Sequence, residues 1–80
     1  MIELRILSPS ALLLSEDVTE VELPGAAGRF VVLKDHDSLI STLVRGEIRY
    51  RRQDASEGSV AVASGFVEVK DNKVCACIEQ

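Results

Sequence analysis

The sequence predicts an all-β fold: an antiparallel β-sandwich, or flattened barrel, of about eight to ten short strands. Apolar and polar residues alternate with period two in several short segments, and turn-forming residues recur every several positions between them. No amphipathic helical stretch of useful length is present. Eighty residues make a single domain, 1–80, because a second core would have nothing left to be built from. Hydrophobic residues make up 46% of the chain and charged residues 28%, a globular composition rather than a disordered one. Aromatics are only 4% (Phe30, Tyr50 and Phe66), so the core is expected to be aliphatic.

The first strand comes from "MIELRIL", where Ile2, Leu4 and Ile6 share one side and Glu3 and Arg5 the other. "SPS" punctuates it. "ALLL" and "TEVEL" then give two strands around a break at Ser15 to Asp17, with Val21 and Leu23 on one face and Glu20 and Glu22 on the other. "PGAAG" is a turn, since proline fixes one backbone angle and the glycines permit positive ones. "RFVVL" is apolar nearly throughout and is expected to be covered on both faces. "KDHD" connects it to "SLISTLV", whose β-branched residues favour a strand. "GEIRYRR" alternates again, "QDASEG" is a polar loop, and "SVAVAS" and "FVEVK" follow. The centre of "KDNKV", Asp71-Asn72, tolerates left-handed backbone angles and predicts a tight hairpin into "VCACI".

In that last strand Val74, Ala76 and Ile78 face one way while Cys75 and Cys77, also apolar, face the other. A two-layer sandwich needs one buried face per strand. The surplus implies either an outer face covered by another protein or loops folded over it.

Thirteen acidic side chains against nine basic ones give a net charge of -4, which disfavours nucleic acid as a partner. The cluster of Arg45, Arg49, Arg51 and Arg52 reads as a solvated strand face. No apolar run approaches the ~20 residues of a membrane-spanning helix, and the start lacks the pattern of a signal peptide, so the simplest location is cytoplasmic. Cys75 and Cys77 fit reduced thiols, being poorly placed to bond to each other.

The chemistry-like stretch is "GAAGRFVVLKDHDSL". His36 has no nucleophile motif beside it, and a chain this small has little room for a substrate pocket, so no catalytic residue is assigned. Asp35, His36 and Asp37 diverge on an extended backbone, and no metal or cofactor is expected. Gly25-x-x-Gly28 lacks the lysine and the helix of a nucleotide loop. Lipoyl and biotinyl carrier domains are sandwiches of this size, but their lysine sits at the centre of a turn within "DKA" or "MKM". Here Lys70 and Lys73 only flank the turn, and a carrier or a generic protein-binding β module is the alternative reading.

Taken together, "LPGAAGRFVVLKDHDSLISTLVRGEIR" resembles the amino-terminal β-sandwich domain of the epsilon subunit of F-type ATP synthases. Gly25, Gly28, Phe30, Leu33, His36, Leu39, Leu43 and Gly46 fall on that family's pattern without gaps. "SGFVEVKDNKV" and "LRILSPSALLLSEDVTEVELPG" extend the resemblance over essentially the whole chain. Ser38 stands where the family usually has proline, and Arg29 where many members carry an acidic residue.

The resemblance implies a noncatalytic rotor subunit of the central stalk, peripheral on the cytoplasmic face of the cell membrane. It would bind the gamma subunit and the c-subunit ring and reach the alpha and beta subunits through the complex. By the same analogy Gly25, Ala26, Ala27, Gly28 and Arg29 form the c-ring contact turn, and Val32, His36, Ser38, Leu39 and Ser41 face gamma. A chain that ends at Gln80 would lack the carboxy-terminal helical hairpin with which many members restrain ATP hydrolysis.

Overall fold

The computed structural model describes residues 1–80 and contains nine strands. They are β1 (Ile2–Ser8), β2 (Ala11–Val18), β3 (Glu20–Gly25), β4 (Gly28–Val32), β5 (Leu39–Leu43), β6 (Gly46–Arg51), β7 (Glu57–Val62), β8 (Ser64–Lys70) and β9 (Lys73–Glu79). The strand order is β2-β1-β9-β8-β5-β3-β6-β7, with β4 on β3. The link between β5 and β3 is a single bridge, Gly25 opposite Leu43. The sheet folds over at that narrow point, so β2-β1-β9-β8-β5 forms one layer and β4-β3-β6-β7 the other.

All pairings are antiparallel except one: β1 lies parallel to β9, with Leu4 opposite Val74 and Ile6 opposite Ala76. No local pattern announces this contact, because the two ends of the chain must first be brought together by everything between them.

The alternation read from the sequence sets the core. Ile2, Leu4 and Ile6 from β1, Val67 and Val69 from β8, and Val74, Ala76 and Ile78 from β9 face Val21, Leu23, Val32, Ile48, Tyr50 and Val62 of the second layer. Sixteen hydrophobic residues form this cluster, no polar or charged residue is buried, and Tyr50 is its only aromatic. The expected aliphatic core is present.

Two expectations are corrected. The break at Ser15 to Asp17 does not exist: β2 runs through it, pairing Ser15 with Arg5 and Asp17 with Glu3. Polar residues are tolerated there because β2 is an edge strand, and Glu16 is held by Arg52 at 2.9 Å. Nor is β4 covered on both faces. Val32 is buried, but Val31 is 41% exposed and Leu33, just beyond the strand, 52%. Strand β4 pairs only with β3 and lies at a border of its layer, so its apolar outer side has no neighbour within the chain.

The Arg52 link also closes a corner. Its guanidinium sits 5.2 Å from the Tyr50 ring centroid while bonding Glu16, and the Thr19 N–H and hydroxyl both donate to the Arg51 carbonyl. The end of β6 is thereby tied to the β2–β3 junction. Tyr50 lies across Gly58 on β7, where a Cβ would fall on the ring.

Because period two separates the faces, neighbouring substitutions in β4 should differ sharply. Val32→Asp should leave an unpaired carboxylate in the core and abolish cooperative folding. Val31→Asp should change stability by less than about 1 kcal/mol. Urea unfolding followed by far-UV circular dichroism distinguishes them.

Candidate docking surfaces

The two outer faces of the sandwich are chemically unlike. On the β4-β3-β6-β7 layer, Glu22 is 3.0 Å from Arg29 and 3.7 Å from Arg49, Arg49 is 2.9 Å from Glu47, and Arg51 is 3.3 Å from Glu57. Of the arginine cluster, Arg49 and Arg51 lie on this ion-paired, solvated face, whereas Arg45 stands in the β5–β6 connection without an ion pair and Arg52 turns onto Tyr50 and Glu16. Such exposed pairs contribute only a few tenths of a kcal/mol each, but they leave that face well hydrated.

The β2-β1-β9-β8-β5 layer carries an apolar row instead. Reading across the registers, Leu12 lies opposite Leu7, Leu7 opposite Cys77, Cys77 opposite Phe66 and Phe66 opposite Thr42. Leu12 and Phe66 are each more than half exposed, and Ile40, on the same side of β5, is 75% exposed. Leu7, Phe66 and Cys77 line an open groove of about 410 Å³ with Pro9 and Ile78. The next row is mixed (Ser15, Arg5, Cys75, Glu68, Ile40), and the one beyond it is charged (Asp17, Glu3, Lys73, Lys70). The face thus grades from apolar to charged along the strands.

The Gly25–Arg29 turn stands at the apolar end of this gradient. Gly25 opposes Gly28, leaving Ala26 and Ala27 as an exposed two-residue tip. Gly28 has φ 129°, and a Cβ on Gly25 would lie 2.8 Å from the Gly28 carbonyl and 2.9 Å from the Phe30 ring. Both glycines are needed, one for conformation and one for space. The tip is hooked to the β5–β6 connection by Ala26 N–H to Thr42 carbonyl and Val44 N–H to Pro24 carbonyl, both 2.9 Å. Arg29 does not project toward the tip. It turns back onto Glu22 and donates to the Glu47 carbonyl at 2.9 Å. The outermost residues of the turn are two alanines.

The His36 loop lies at the opposite end. His36 N–H donates to the Leu33 carbonyl at 3.2 Å, closing a turn with Asp35 at φ 63°. His36 Nδ1 lies 2.7 Å from the Asp37 carbonyl, which can only accept, so Nδ1 carries the proton. The histidine is engaged in loop architecture. No three His, Cys, Asp or Glu side chains gather closely enough to hold a metal ion.

Of the residues expected to face a partner, Val32 is a correction: at 1% exposure it belongs to the core and offers no surface. Leu39 and Ser41 lie on the inward side of β5, opposite Val69 and Val67, and Leu39 packs partly against the core. His36 and Ser38 are on the loop, and Ser38 shares a shallow depression with Ile40, Glu68 and Lys70. The outward neighbours on the two strands are Val31 and Ile40. Sequence reasoning did not single out Leu7, Leu12 and Phe66 as outward apolar positions. Their individual phases were readable, but their alignment into a row depends on cross-strand register.

Cys75 and Cys77 both point to this outer face, half-buried and unbonded. Burial, with Cys77 beside it, pushes the Cys75 thiol above its ordinary range. Cys75 should consequently react with iodoacetamide at pH 8 more slowly than free cysteine. Its rate should rise about tenfold per pH unit while the thiolate remains the minor form. Mass-spectrometric quantitation of the alkylated peptide against pH tests both statements. A second expectation concerns the turn: Gly25→Ala should cost about 1–3 kcal/mol by overpacking against Phe30, read as a lower urea midpoint.

The sequence matches, over residues 1–80, the family described as "ATP synthase, Delta/Epsilon chain, beta-sandwich domain". It is 37% identical over 79 residues to an ATP synthase epsilon chain of Sulfurovum sp., covering 99% of this chain and 62% of that one. To the epsilon chain of Chlorobium limicola it is 38% identical over 77 residues, covering 96% of this chain and 88% of that relative. The chain thus spans about 62% of the first of these relatives and most of the second.

Its fold matches a chain in the mitochondrial ATP synthase of Euglena gracilis, solved as OSCP/F1/c-ring. The TM-score is 0.93 at 20% identity, over 99% of this chain and 51% of that one. A chain in the Tetrahymena thermophila mitochondrial ATP synthase central stalk and c-ring matches at TM-score 0.81 and 17% identity, over 99% and 63%. The family match over residues 1–80 sets aside the carrier reading, whose lysine position is in any case filled by Asp71 and Asn72 at the β8–β9 tip. Matched from end to end and nearly coextensive with one of its relatives, the chain belongs to the beta-sandwich domain family of ATP synthase delta and epsilon chains.

Proposed function

We propose that the chain is the noncatalytic epsilon-type rotor element of an ATP synthase. In this reading its apolar outer face binds gamma, and its alanine-tipped turn rests on the c-subunit ring. The observation that carries the reading is the asymmetry of the two outer faces. On one, β3, β6 and β7 carry ion pairs and the exposed apolar side chains are confined to the β4 border; the other presents Leu12, Phe66 and Ile40 exposed, with Leu7 half-buried between strands. A row of that kind on an otherwise charged chain fits a surface buried in a complex.

The two ends support the division of contacts. The tip Ala26-Ala27 is small and uncharged, because Arg29 is neutralised locally by Glu22, and it suits close approach to a broad protein surface. The opposite end carries Lys34, Asp35, Asp37, Asp54 and Asp71 in its loops. The mechanical role asks for stiffness: torque arriving at the c ring is passed on through a closed sandwich whose ladders resist shear, without any activated side chain. The complex would hold the chain peripherally at the cytoplasmic face of the membrane and link it to the alpha and beta head.

Phe66→Asp places a charge in the centre of the row at a position already exposed, so the domain should fold with its urea midpoint nearly unchanged. Copurification of the cognate gamma subunit should fall at least tenfold. In the wild-type complex, alkylation of Cys77 should be slowed at least tenfold relative to the free chain. A folded Phe66→Asp variant that still recovers gamma normally, with Cys77 unprotected, refutes the assignment.

A further inference from the structure

Asn72 joins two parts of the molecule that the sequence keeps 37 residues apart. It is the second residue of the β8–β9 turn, with φ 61° after Asp71 at φ 52°. Two successive left-handed residues in a two-residue hairpin make a type I′ turn, whose second position is most often glycine because a Cβ there is strained. Asparagine gives up that freedom and supplies a side chain.

The side chain is used at both ends. Asn72 Oδ1 accepts the Asp35 backbone N–H at 2.6 Å, and Asn72 Nδ2 donates to Asp35 Oδ1 at 3.1 Å. Asp35 is itself left-handed, at φ 63°, within the turn closed by His36 and Leu33. Within Lys34–Ser38 these are the only hydrogen bonds to another element. The remaining polar contacts of the segment, His36 N–H to Leu33 and His36 Nδ1 to Asp37, are internal. An exposed two-point bond of this kind adds little to global stability, but it fixes a local conformation that the backbone would not hold alone.

We propose that Asn72 is a positioning residue for docking. Its amide clips the His36 loop to the β8–β9 hairpin, so that His36 and Ser38 are presented to gamma already ordered. The hairpin then contributes to assembly without touching the partner. The inference rests on the proposed gamma-binding outer face and extends it to the His36 loop, whose Ser38 shares a depression with the exposed Ile40 of that face. Preordering removes the entropy of fixing the loop at the moment of binding, so its loss should appear chiefly in the association rate.

Asn72→Gly separates the clip from the turn, because glycine satisfies the type I′ geometry and removes only the amide. The melting temperature should stay equal or rise. Amide hydrogen exchange at Asp35 and His36 should accelerate at least tenfold, and association with purified cognate gamma should slow at least fivefold with dissociation changed less than twofold. Asn72→Asp should also slow association, since a carboxylate cannot donate to Asp35 and repels it. Adding Asp35→Asn restores a donor from the other side and should return association to within twofold of wild type.

Unchanged exchange at Asp35 in Asn72→Gly would overturn the clip. Faster exchange with unaltered association would overturn the docking role, as would failure of the double variant to recover. Binding that is insensitive to Phe66→Asp as well would mean that the gamma-facing reading itself fails.

Discussion

A β-strand has only two faces, and in this chain one of them is fully committed to a single small core. Sixteen hydrophobic side chains drawn from all nine strands meet in a body measuring 27 × 23 × 18 Å, with no buried polar residue among them. A domain of this size buries about 60% of the surface of its unfolded chain, so every inward position is needed for stability. The outward positions carry no such obligation. They are free to diverge, and the two layers diverge in outward chemistry.

The ion pairs on one layer and the apolar row on the other follow from this freedom. Across β3 and β6, the outward Glu20 and Glu22 lie opposite Arg51 and Arg49, in a register that brings opposite charges together. On β1, β8 and β9 the outward residues nearest the chain's turn-rich end are Leu7, Phe66 and Cys77, aligned by two antiparallel or parallel registers into one band. A shift of one residue in any of these strands would break the band and empty the core together. The register that secures folding therefore also aligns the apolar band.

How much of this was legible in the sequence varies with the range of the interaction. The nine strands, the aliphatic core and the Asp71-Asn72 hairpin were readable because alternation and turn chemistry are local. The continuity of β2 through Ser15–Asp17 was not, since polar residues resemble a break until a partner strand is known to lie alongside. The placement of Val32 toward gamma is implied by the resemblance alone, since the run from Phe30 to Leu33 is apolar at every position and carries no phase of its own. Only the pairing of Val32 with Val21 supplies one. The apolar row, the parallel β1–β9 pair and the Asn72–Asp35 clip depend on partners 37 residues or more apart, or on register across several strands, and no single-sequence pattern encodes them.

Arg29 illustrates the same limit at a single residue. Read along the chain, a cation in "GAAGRF" puts charge on the turn tip. In the fold its position opposite Pro24 directs it over β3, where Glu22 and the Glu47 carbonyl take up its donors. A charge that is locally neutralised and held to the sheet no longer defines the polarity of the tip, which is set by Ala26 and Ala27. Arg29 therefore shapes the internal ion pairing of the β3 face more than it shapes what the turn presents. The hooks from Ala26 to Thr42 and from Val44 to Pro24 tie this small neutral loop to β5 as well as to β3, and so to both layers at once.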